Sequence, residues 1–375
     1  HTAGYVGADS DQRNQRGTAN VFLYDEATGA FETPHRADSV EPGQGFWVYV
    51  RADDDPYGTA GVQGGFPKTL WTAGGTPVTG EVALPVSYTA SAAMPGINLV
   101  GNPYDQAIDW DHPSWTKTGI SGTVYVWDRA YNGGDYRTWN GSTGDLAGGV
   151  IPAGQGFHVE ATGPGAALVV REAAKTGTVG AVYGKTAAAS ESPRLGLRLS
   201  GLVDGAPRET EAFLTWHEDA ALGLDAHDGR RLAGTPGGLR LYAAAPGGEA
   251  LAIAALPSRA EGAIEIPIHT EAEGRAEGIS IAWDAALPEG WTARLVDRQS
   301  GESYFLDGDG SAPLRLRGAA PEADDLAPPA PRPLRVDAQK TGAAQFLLVL
   351  TPPAEAATSS PAFAVGALAP NPTRG

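Results

Sequence analysis

An internal repeat is the feature of this sequence that most limits how the chain can fold. Val21–Asp25 returns as Val124–Asp128, an offset of 103 residues, and Gly43–Val50 returns as Gly154–Ala161, an offset of 111. In each copy an alternating apolar strand ends at aspartate, and a Gly-Gln-Gly turn opens a second, aromatic strand. We place the eight-residue difference between the offsets in the Gly-rich loop around 132–135 of the second copy. The repeat predicts two modules with matched strand pairing.

The remainder of the chain also has the pattern of strands. Glycine and proline, 51 and 29 residues, divide the sequence into windows that suit strands better than helices. Beyond the repeat, short segments such as Leu195–Leu199, Ile264–Ile268 and Phe346–Leu350 alternate in polarity, which places one strand face on a core. We therefore predict an all-β fold, a repeated aromatic β-module followed by an antiparallel β-sandwich. If any segment is helical, we expect it to be Thr210–Leu222.

Changes in composition and in strand pattern divide the sequence into five regions. We assign residues 1–90 to the first copy of the β-repeat and 91–190 to the second. The first copy has no counterpart of the strand that opens the second, so we expect it to be truncated at its N-terminus. Residues 193–351 form the predicted β-sandwich, 352–362 a Pro- and Ala-rich linker, and 363–375 the start of a further domain.

Charge and cysteine content exclude several classes of function. Lys and Arg total 27 against 44 Asp and Glu, so the net charge of −17 has the wrong sign for binding phosphate backbones or anionic membranes. The chain has no cysteine, which excludes disulfides, thiolate metal sites and thiol nucleophiles. Its apolar runs are too short for a spanning helix. We expect neither nucleic acid as a partner nor a membrane span.

The sequence also lacks the patterns that carry catalysis. Its seven histidines stand in no H-x-x-x-H or H-E-x-x-H spacing. There is no G-x-S-x-G elbow, phosphate-binding loop or dinucleotide fingerprint. Asp105, Asp109 and Asp111 form the best carboxylate cluster, but acids beside Asn-Pro and His-Pro commonly form Asx-turns and caps. We therefore predict that the chain is not an enzyme.

Aromatic residues crowd the second copy and suggest one ligand site. Tyr136 and Trp139 lie near Asn132 and Asn140 in the Gly- and Asn-rich segment that the first copy lacks. We predict that this segment is an exposed loop, where aromatic faces beside amide side chains would stack on a sugar ring. For the aromatic residues on the strands of this copy, core packing is the simpler interpretation.

Calcium is the one ion that the sequence favours, because loop aspartates supply the oxygen ligands of a hard cation. No twelve-residue EF-hand loop is present. The candidate ligands are Asp53, Asp55, Asp225, Asp228, Asp307 and Asp309. We expect no other cofactor.

Two short segments resemble parts of proteins exported by the type IX secretion system of Bacteroidota and their relatives. Leu368, Pro370–Thr373 and Gly375 are similar to the opening strand of the C-terminal sorting domain, in which an apolar strand runs into Pro-Asn-Pro and then glycine. Asn98–Tyr104, together with Gly154–Phe157, resembles the repeat found just upstream of that signal in large surface proteins. The resemblance implies that the last region begins a sorting domain, and that export attaches the cargo to surface lipopolysaccharide or releases it.

These observations predict a non-catalytic extracellular region, a surface, adhesion or spacer segment of a secreted bacterial protein at the outer cell surface. Its partners would be glycans or surface polysaccharide, and the secretion machinery. The alternative is a carbohydrate-binding accessory region of a secreted hydrolase whose catalytic domain precedes His1. We expect the complete gene to encode a signal peptide before His1 and the rest of a sorting domain after Gly375.

Overall fold

The all-β fold class predicted from the sequence is confirmed. The computed structural model describes residues 21–34, 38–48, 76–177, 193–234, 237–314, 318–319 and 344–353. These ranges contain no α-helix, and their only helical turns are the 3-10 segments Ala147–Gly149 and Glu172–Ala174. The prediction of a helix within Thr210–Leu222 is wrong. Most of this segment belongs to a strand inside a large sheet, and pairing with a neighbouring strand on each edge overrides the local helical preference.

The repeat region contains thirteen strands among the described residues. They are β1 Val21–Asp25, β2 Ala30–Glu32, β3 Trp47–Val48, β4 Val82–Leu84, β5 Ile97–Gly101, β6 Ala107–Asp109, β7 Thr116–Thr118, β8 Ile120–Asp128, β9 Asp135–Trp139, β10 Val150–Ile151, β11 Gly156–Ala161, β12 Ala167–Val170 and β13 Lys175–Thr176. They form four small antiparallel sheets with the orders β2-β1-β3, β5-β11-β8-β9, β4-β12-β7 and β10-β6-β13. Trp110, Val124, Phe157 and Leu168 belong to the buried core that these sheets of the second copy enclose.

The two copies of the repeat share strand order and register. In the first copy β1 lies between β2 and β3, and in the second β8 lies between β9 and β11. Each cross-strand pair keeps its partner after the two offsets: Val21–Val48 corresponds to Val124–Val159, and Phe22–Trp47 to Tyr125–His158. The predicted matching of strand pairing is confirmed.

The eight extra residues of the second copy are divided between two places. The hairpin loop is 26–29 in the first copy and 129–134 in the second, which accounts for two of them. The other six lie between β9 and β11. The prediction that the whole insertion lies around 132–135 is therefore wrong, because hairpin pairing fixes the offset of β9 from β2 at 105 residues.

Strand β5 is held on both edges by Gly-Gln-Gly segments, one from each copy. On one side Gly156 of β11 stands opposite Gly101. On the other side Gln44 forms a bridge with Val100, and the Gly101 N–H donates to the Gly43 carbonyl oxygen at 2.9 Å. Gly45 lies so close that a Cβ there would come within 2.6 Å of the Val100 carbonyl oxygen. Glycine at this turn is therefore required by close backbone approach.

In the second half of the chain the described residues form one twelve-stranded curled sheet. Its strands are β14 Arg194–Val203, β15 Ala206–His217, β16 Gly229–Arg230, β17 Leu239–Ala244, β18 Ala250–Pro257, β19 Ile264–Glu273, β20 Ala276–Ala286, β21 Thr292–Asp297, β22 Ser303–Phe305, β23 Gly308–Pro313, β24 Gly318–Ala319 and β25 Phe346–Thr351. The main order is β22-β21-β25-β19-β17-β18-β15-β14-β20-β23. Pairing is antiparallel except between β15 and β18 and between β19 and β24.

The curled sheet encloses a single apolar core. Leu197, Leu241, Ile268 and Phe346 come from four of its strands and have no exposed surface. The strands at the two ends of the order, β22 and β23, are consecutive in the chain and are joined by only two residues. A short connection between the two ends of the order keeps the sheet curled around its core.

The turn glycines of the two copies give a matched test of the close approach on β5. Gly45→Ala places a methyl group against backbone atoms, so we expect the free energy of unfolding to fall by about 1 to 3 kcal/mol. Gly156→Ala, at the equivalent position, meets nothing closer than 3.6 Å and should be nearly neutral. Urea unfolding followed by tryptophan fluorescence measures both, and equal losses would contradict the inferred contact.

Candidate functional site

The second copy docks on the curled sheet through the loop between β8 and β9. Asn132 lies in this loop with a left-handed φ of 49°, a conformation that asparagine tolerates better than most residues. Its Nδ2 donates to the Leu239 carbonyl oxygen at 2.7 Å, and its Oδ1 accepts from the Leu239 N–H at 3.0 Å. The side-chain amide thus takes the place of a neighbouring strand at the start of β17 and fixes the loop on the sheet.

A buried ion pair lies next to this amide. Arg231, which follows β16, donates from Nη1 to Asp135 Oδ1 at 2.9 Å and from Nη2 to Oδ2 at 2.5 Å. The two side chains are 3% and 2% exposed. Burial disfavours the charge of Arg231, but Asp135 outweighs it and raises the pKa of the guanidinium above its ordinary value. A two-pronged pair of this kind fixes orientation as well as distance, so it specifies one arrangement of the two regions.

The crevice beside the ion pair is too small for a substrate. It is lined by Asn132, Asp135, Arg231, Gly238 and Glu273, among others, and has room for about one water molecule. It therefore belongs to the packing between the second copy and the curled sheet. We call this contact, which contains Asn132, Asp135 and Arg231, the joint.

Tyr131, in the same loop, makes a further connection to the sheet. Its hydroxyl accepts the backbone N–H of Glu211 on β15 at 2.9 Å. The Arg137 guanidinium lies 4.3 Å from the centre of the Tyr131 ring, and its Nε donates to Asp128 Oδ2 at 2.8 Å. The loop is thus stiffened from within by a cation–π contact and an ion pair.

Asp145 is a buried carboxyl on the second-copy side of the joint. Its Oδ1 accepts the Thr138 N–H at 2.5 Å, and no lysine or arginine forms an ion pair with it among the described residues. Burial raises the pKa of Asp145 to about 7, and the charge of Glu211 across the joint adds to this effect. The group therefore titrates near neutral pH.

The other end of the joint involves strands β8, β11 and β16. Thr123 Oγ1 donates to the Asp228 carbonyl oxygen at 2.8 Å, and Arg230 Nε pairs with Glu160 at 3.0 Å. The Asp228 carboxylate accepts the Ala255 N–H at 2.7 Å. Burial raises the pKa of Asp228 to about 7. Hydrogen bonds and ion pairs thus run along the whole contact between the two regions.

The predicted sugar-binding residues are used in packing. Tyr136 and Trp139 lie on β9 and are only 4% and 8% exposed, so the prediction that they form an exposed loop is wrong. Trp139 Nε1 donates to Asp111 Oδ2 at 2.7 Å. Asn132 binds both backbone groups of Leu239 and is the residue that we call the clamp on β17. Asn140 Nδ2 donates to the His227 carbonyl oxygen of the curled-sheet region at 3.0 Å. Asn132 and Asn140 are thus bound to the curled-sheet region, whereas Trp139 lies in the core of the second copy and Tyr136 packs against Trp127 and His158.

The predicted calcium ligands lie in three separate places. Asp53 and Asp55 are outside the described residues. Asp225 and Asp228 accept backbone N–H groups, which a cation would have to displace. Asp307 and Asp309 are exposed beside and at the start of β23. In the described part of the chain no three acidic or histidine side chains are grouped as metal ligands, so calcium binding stays a prediction.

The carboxylate cluster around Asp109 forms a local turn. Asp109 Oδ1 accepts the Asp111 N–H at 2.9 Å, which is the Asx-turn geometry that the sequence suggested. Asp105 is mostly exposed and lies 3.7 Å from Lys175. These contacts are typical of turn and surface structure.

Sequence reasoning missed the residues that form the joint. Asp135 opens an aromatic strand, and a charged residue at the start of a buried strand requires a partner. Arg231 stands beside Arg230 in a chain that is poor in basic residues. These two anomalies were the available signals, but neither identifies its partner 96 residues away.

No family model matches this chain, and no curated protein and no solved structure matches it either. The described residues contain no helix that is long and apolar enough to cross a membrane. A function has to be inferred from the geometry of the joint itself.

Removal of one partner of the buried ion pair tests its importance. Arg231→Met leaves Asp135 charged and buried, so we expect the free energy of unfolding to fall by about 3 to 5 kcal/mol. The matched control is Arg198→Met, because the Arg198 side chain is 46% exposed in its pair with Glu211 and its loss should cost less than about 1 kcal/mol. Urea denaturation at neutral pH compares the two. Equal effects would show that the buried pair carries no special weight.

Asp145→Asn tests the titration at the joint. The folded-state pKa is about 7 and the unfolded value about 3.9, so the folded chain loses stability as pH rises between these values. The variant keeps an oxygen acceptor for Thr138 and has no such loss. We therefore expect the difference in free energy of unfolding, variant minus wild type, to increase by on the order of 3 to 4 kcal/mol between about pH 4 and about pH 7. Urea midpoints across that range measure the gain, and a pH-independent difference would refute the shift.

Proposed function

We propose that this chain is a non-catalytic spacer region of a secreted bacterial surface protein, in which the repeat and the curled sheet act as one rigid body. The buried Asp135–Arg231 pair carries the proposal. A charge pair without solvent is stable only in one geometry, since separation leaves both charges unsatisfied. Connected domains with small polar interfaces normally move against each other, and a spacer that must hold a distance needs a joint of this kind.

The other contacts of the joint support the same role. The Asn132 amide, the Tyr131 hydroxyl and Thr123 each bind backbone atoms of the curled-sheet region. Hydrogen bonds to backbone depend on direction and on position along the strand. Contacts at several separated points therefore oppose bending and twisting of the joint.

An extracellular location and export by a sorting signal are supported by the resemblance of the last residues to a type IX sorting strand. Leu368 and Pro370–Thr373, which carry it, lie outside the described residues. The net charge of −17 suits a surface exposed to water. In this proposal the secretion machinery recognises the C-terminal segment, and surface polysaccharide is the attachment partner.

A carbohydrate-binding role finds less support in the geometry. A sugar platform requires aromatic faces open to solvent, and Tyr136 and Trp139, the aromatic residues expected to provide it, are buried. The spacer role requires no open pocket, and the crevice at the joint holds about one water molecule.

Distance measurements between spin labels test rigidity, and the absence of native cysteine makes labelling specific. Ala153→Cys and Glu261→Cys place one label on the second copy and one in the loop between β18 and β19 of the curled-sheet region, both at exposed positions. We expect one narrow distance distribution, which Asn132→Ala should broaden because the clamp on β17 is lost.

The control pair is Glu261→Cys with Glu289→Cys, both in loops of the curled-sheet region, and its distribution should stay narrow in the Asn132→Ala background. A broad distribution across the joint in the otherwise unaltered chain would overturn the spacer proposal.

A further inference from the structure

Six aromatic rings form a closed set between the two copies of the repeat. Each copy contributes three, at equivalent positions: one on the strand before the hairpin loop, one on the strand after it, and one on the strand after the Gly-Gln-Gly turn. The first copy provides Tyr24, Phe31 and Trp47, and the second provides Trp127, Tyr136 and His158. We call these positions first, second and third.

Within each copy the three rings touch in the same order. First meets second at 5.3 Å in one copy and 5.0 Å in the other, and second meets third at 6.1 Å and 5.3 Å, between ring centres. All four contacts are edge-to-face, the arrangement that aromatic quadrupoles favour. The two faces therefore have the same shape as well as the same strand pairing.

Between the copies the contacts are reciprocal. The first position of copy one, Tyr24, meets the third position of copy two, His158, at 5.9 Å. The third position of copy one, Trp47, meets the first position of copy two, Trp127, at 5.1 Å. First-to-third and third-to-first is the contact pattern of a two-fold symmetric, self-complementary interface. The pair of copies thus has the contact pattern of a homodimer within one chain.

The two-fold pattern is kept even where the residue type changes. His158 stands where the first copy has tryptophan, it is 2% exposed, and neither ring nitrogen has a hydrogen-bond partner in the described structure. Burial lowers the pKa of His158 to about 3, so the ring is neutral near pH 7. It therefore serves as an aromatic surface and not as a hydrogen-bonding group.

From this geometry we infer that the aromatic face is a self-recognition surface whose partner is another copy of the same repeat. In this chain the first copy occupies the face of the second. A second-copy face that is set free pairs with the same face of another molecule, Trp127 against the partner's His158 and the reverse. The inference does not depend on the spacer role, because the ring contacts between the copies involve neither Asp135 nor Arg231.

The test sets the face free in the full chain. Tyr24→Lys and Trp47→Lys replace the two first-copy rings that contact the second copy by charged side chains, and Glu26→Ala removes the carboxylate that binds the N–H groups of Gly96 and Thr89 at 2.7 and 2.8 Å. We expect this triple variant to double the molecular mass of the parent in light scattering coupled to size exclusion, while far-UV circular dichroism stays unchanged.

The matched control adds Trp127→Lys to the triple variant and should return it to the mass of the parent, because both reciprocal contacts of the dimer use that residue. A folded triple variant that keeps the parent mass overturns the inference. So does a control that still dimerises, since pairing would then use another surface.

A double-mutant cycle in the otherwise unaltered chain keeps the inference testable if the triple variant fails to fold. Tyr24→Ala with His158→Ala, and Trp47→Ala with Trp127→Ala, should each show coupling between the two substitutions in urea unfolding. Additive effects at either contact would overturn the reciprocal pairing.

Discussion

The structure depends on one desolvated ion pair, Asp135 with Arg231. Each charge would be strongly unfavourable in that position alone, so the hairpin of the second copy and the curled sheet must dock together or not at all. Asn132 completes the arrangement, because its amide donates to Asp135 while it also binds both backbone groups of Leu239. Docking leaves Asn132 buried, while Tyr136 on β9 is buried against Trp127 and His158 of its own copy.

Both copies use the hairpin loop as the docking element, with different side chains. In the first copy Glu26 accepts the N–H groups of Gly96 and Thr89, and although burial raises its pKa, these hydrogen bonds outweigh burial and hold the pKa below its usual value. In the second copy, Asn132 reaches β17 from a loop that is two residues longer. The strands of the repeat thus keep the same pairing in both copies, and the hairpin loop of each copy determines which segment that copy binds.

The sequence predicts the strands of the repeat but not the contacts by which its loops dock. Strand alternation and Gly-Gln-Gly turns are local signals. From them the sequence correctly predicts that Val21–Asp25 and Val124–Asp128 are equivalent strands with equivalent partners. The joint has no local signal, because Asn132 and Leu239 are 107 residues apart. Asparagine, glycine and aromatic residues near a turn suit a sugar-binding loop and a docking loop equally well. Only the position of the curled sheet decides between them, and that position results from long-range pairing such as the parallel contact of β15 with β18.

The two interfaces of the second copy respond to protons in opposite directions. At the aromatic face the pKa of His158 falls to about 3 in the folded chain, against about 6.5 when unfolded, so this contact loses stability as pH falls between those values. Near the joint, burial raises the pKa values of Asp145 and Asp228 to about 7, so through these groups the folded chain loses stability as pH rises from about 4 to about 7. Acid therefore stabilises the folded chain through the two carboxyl groups and destabilises it through His158. Because the two responses oppose each other, the stability of the whole chain reports only their difference.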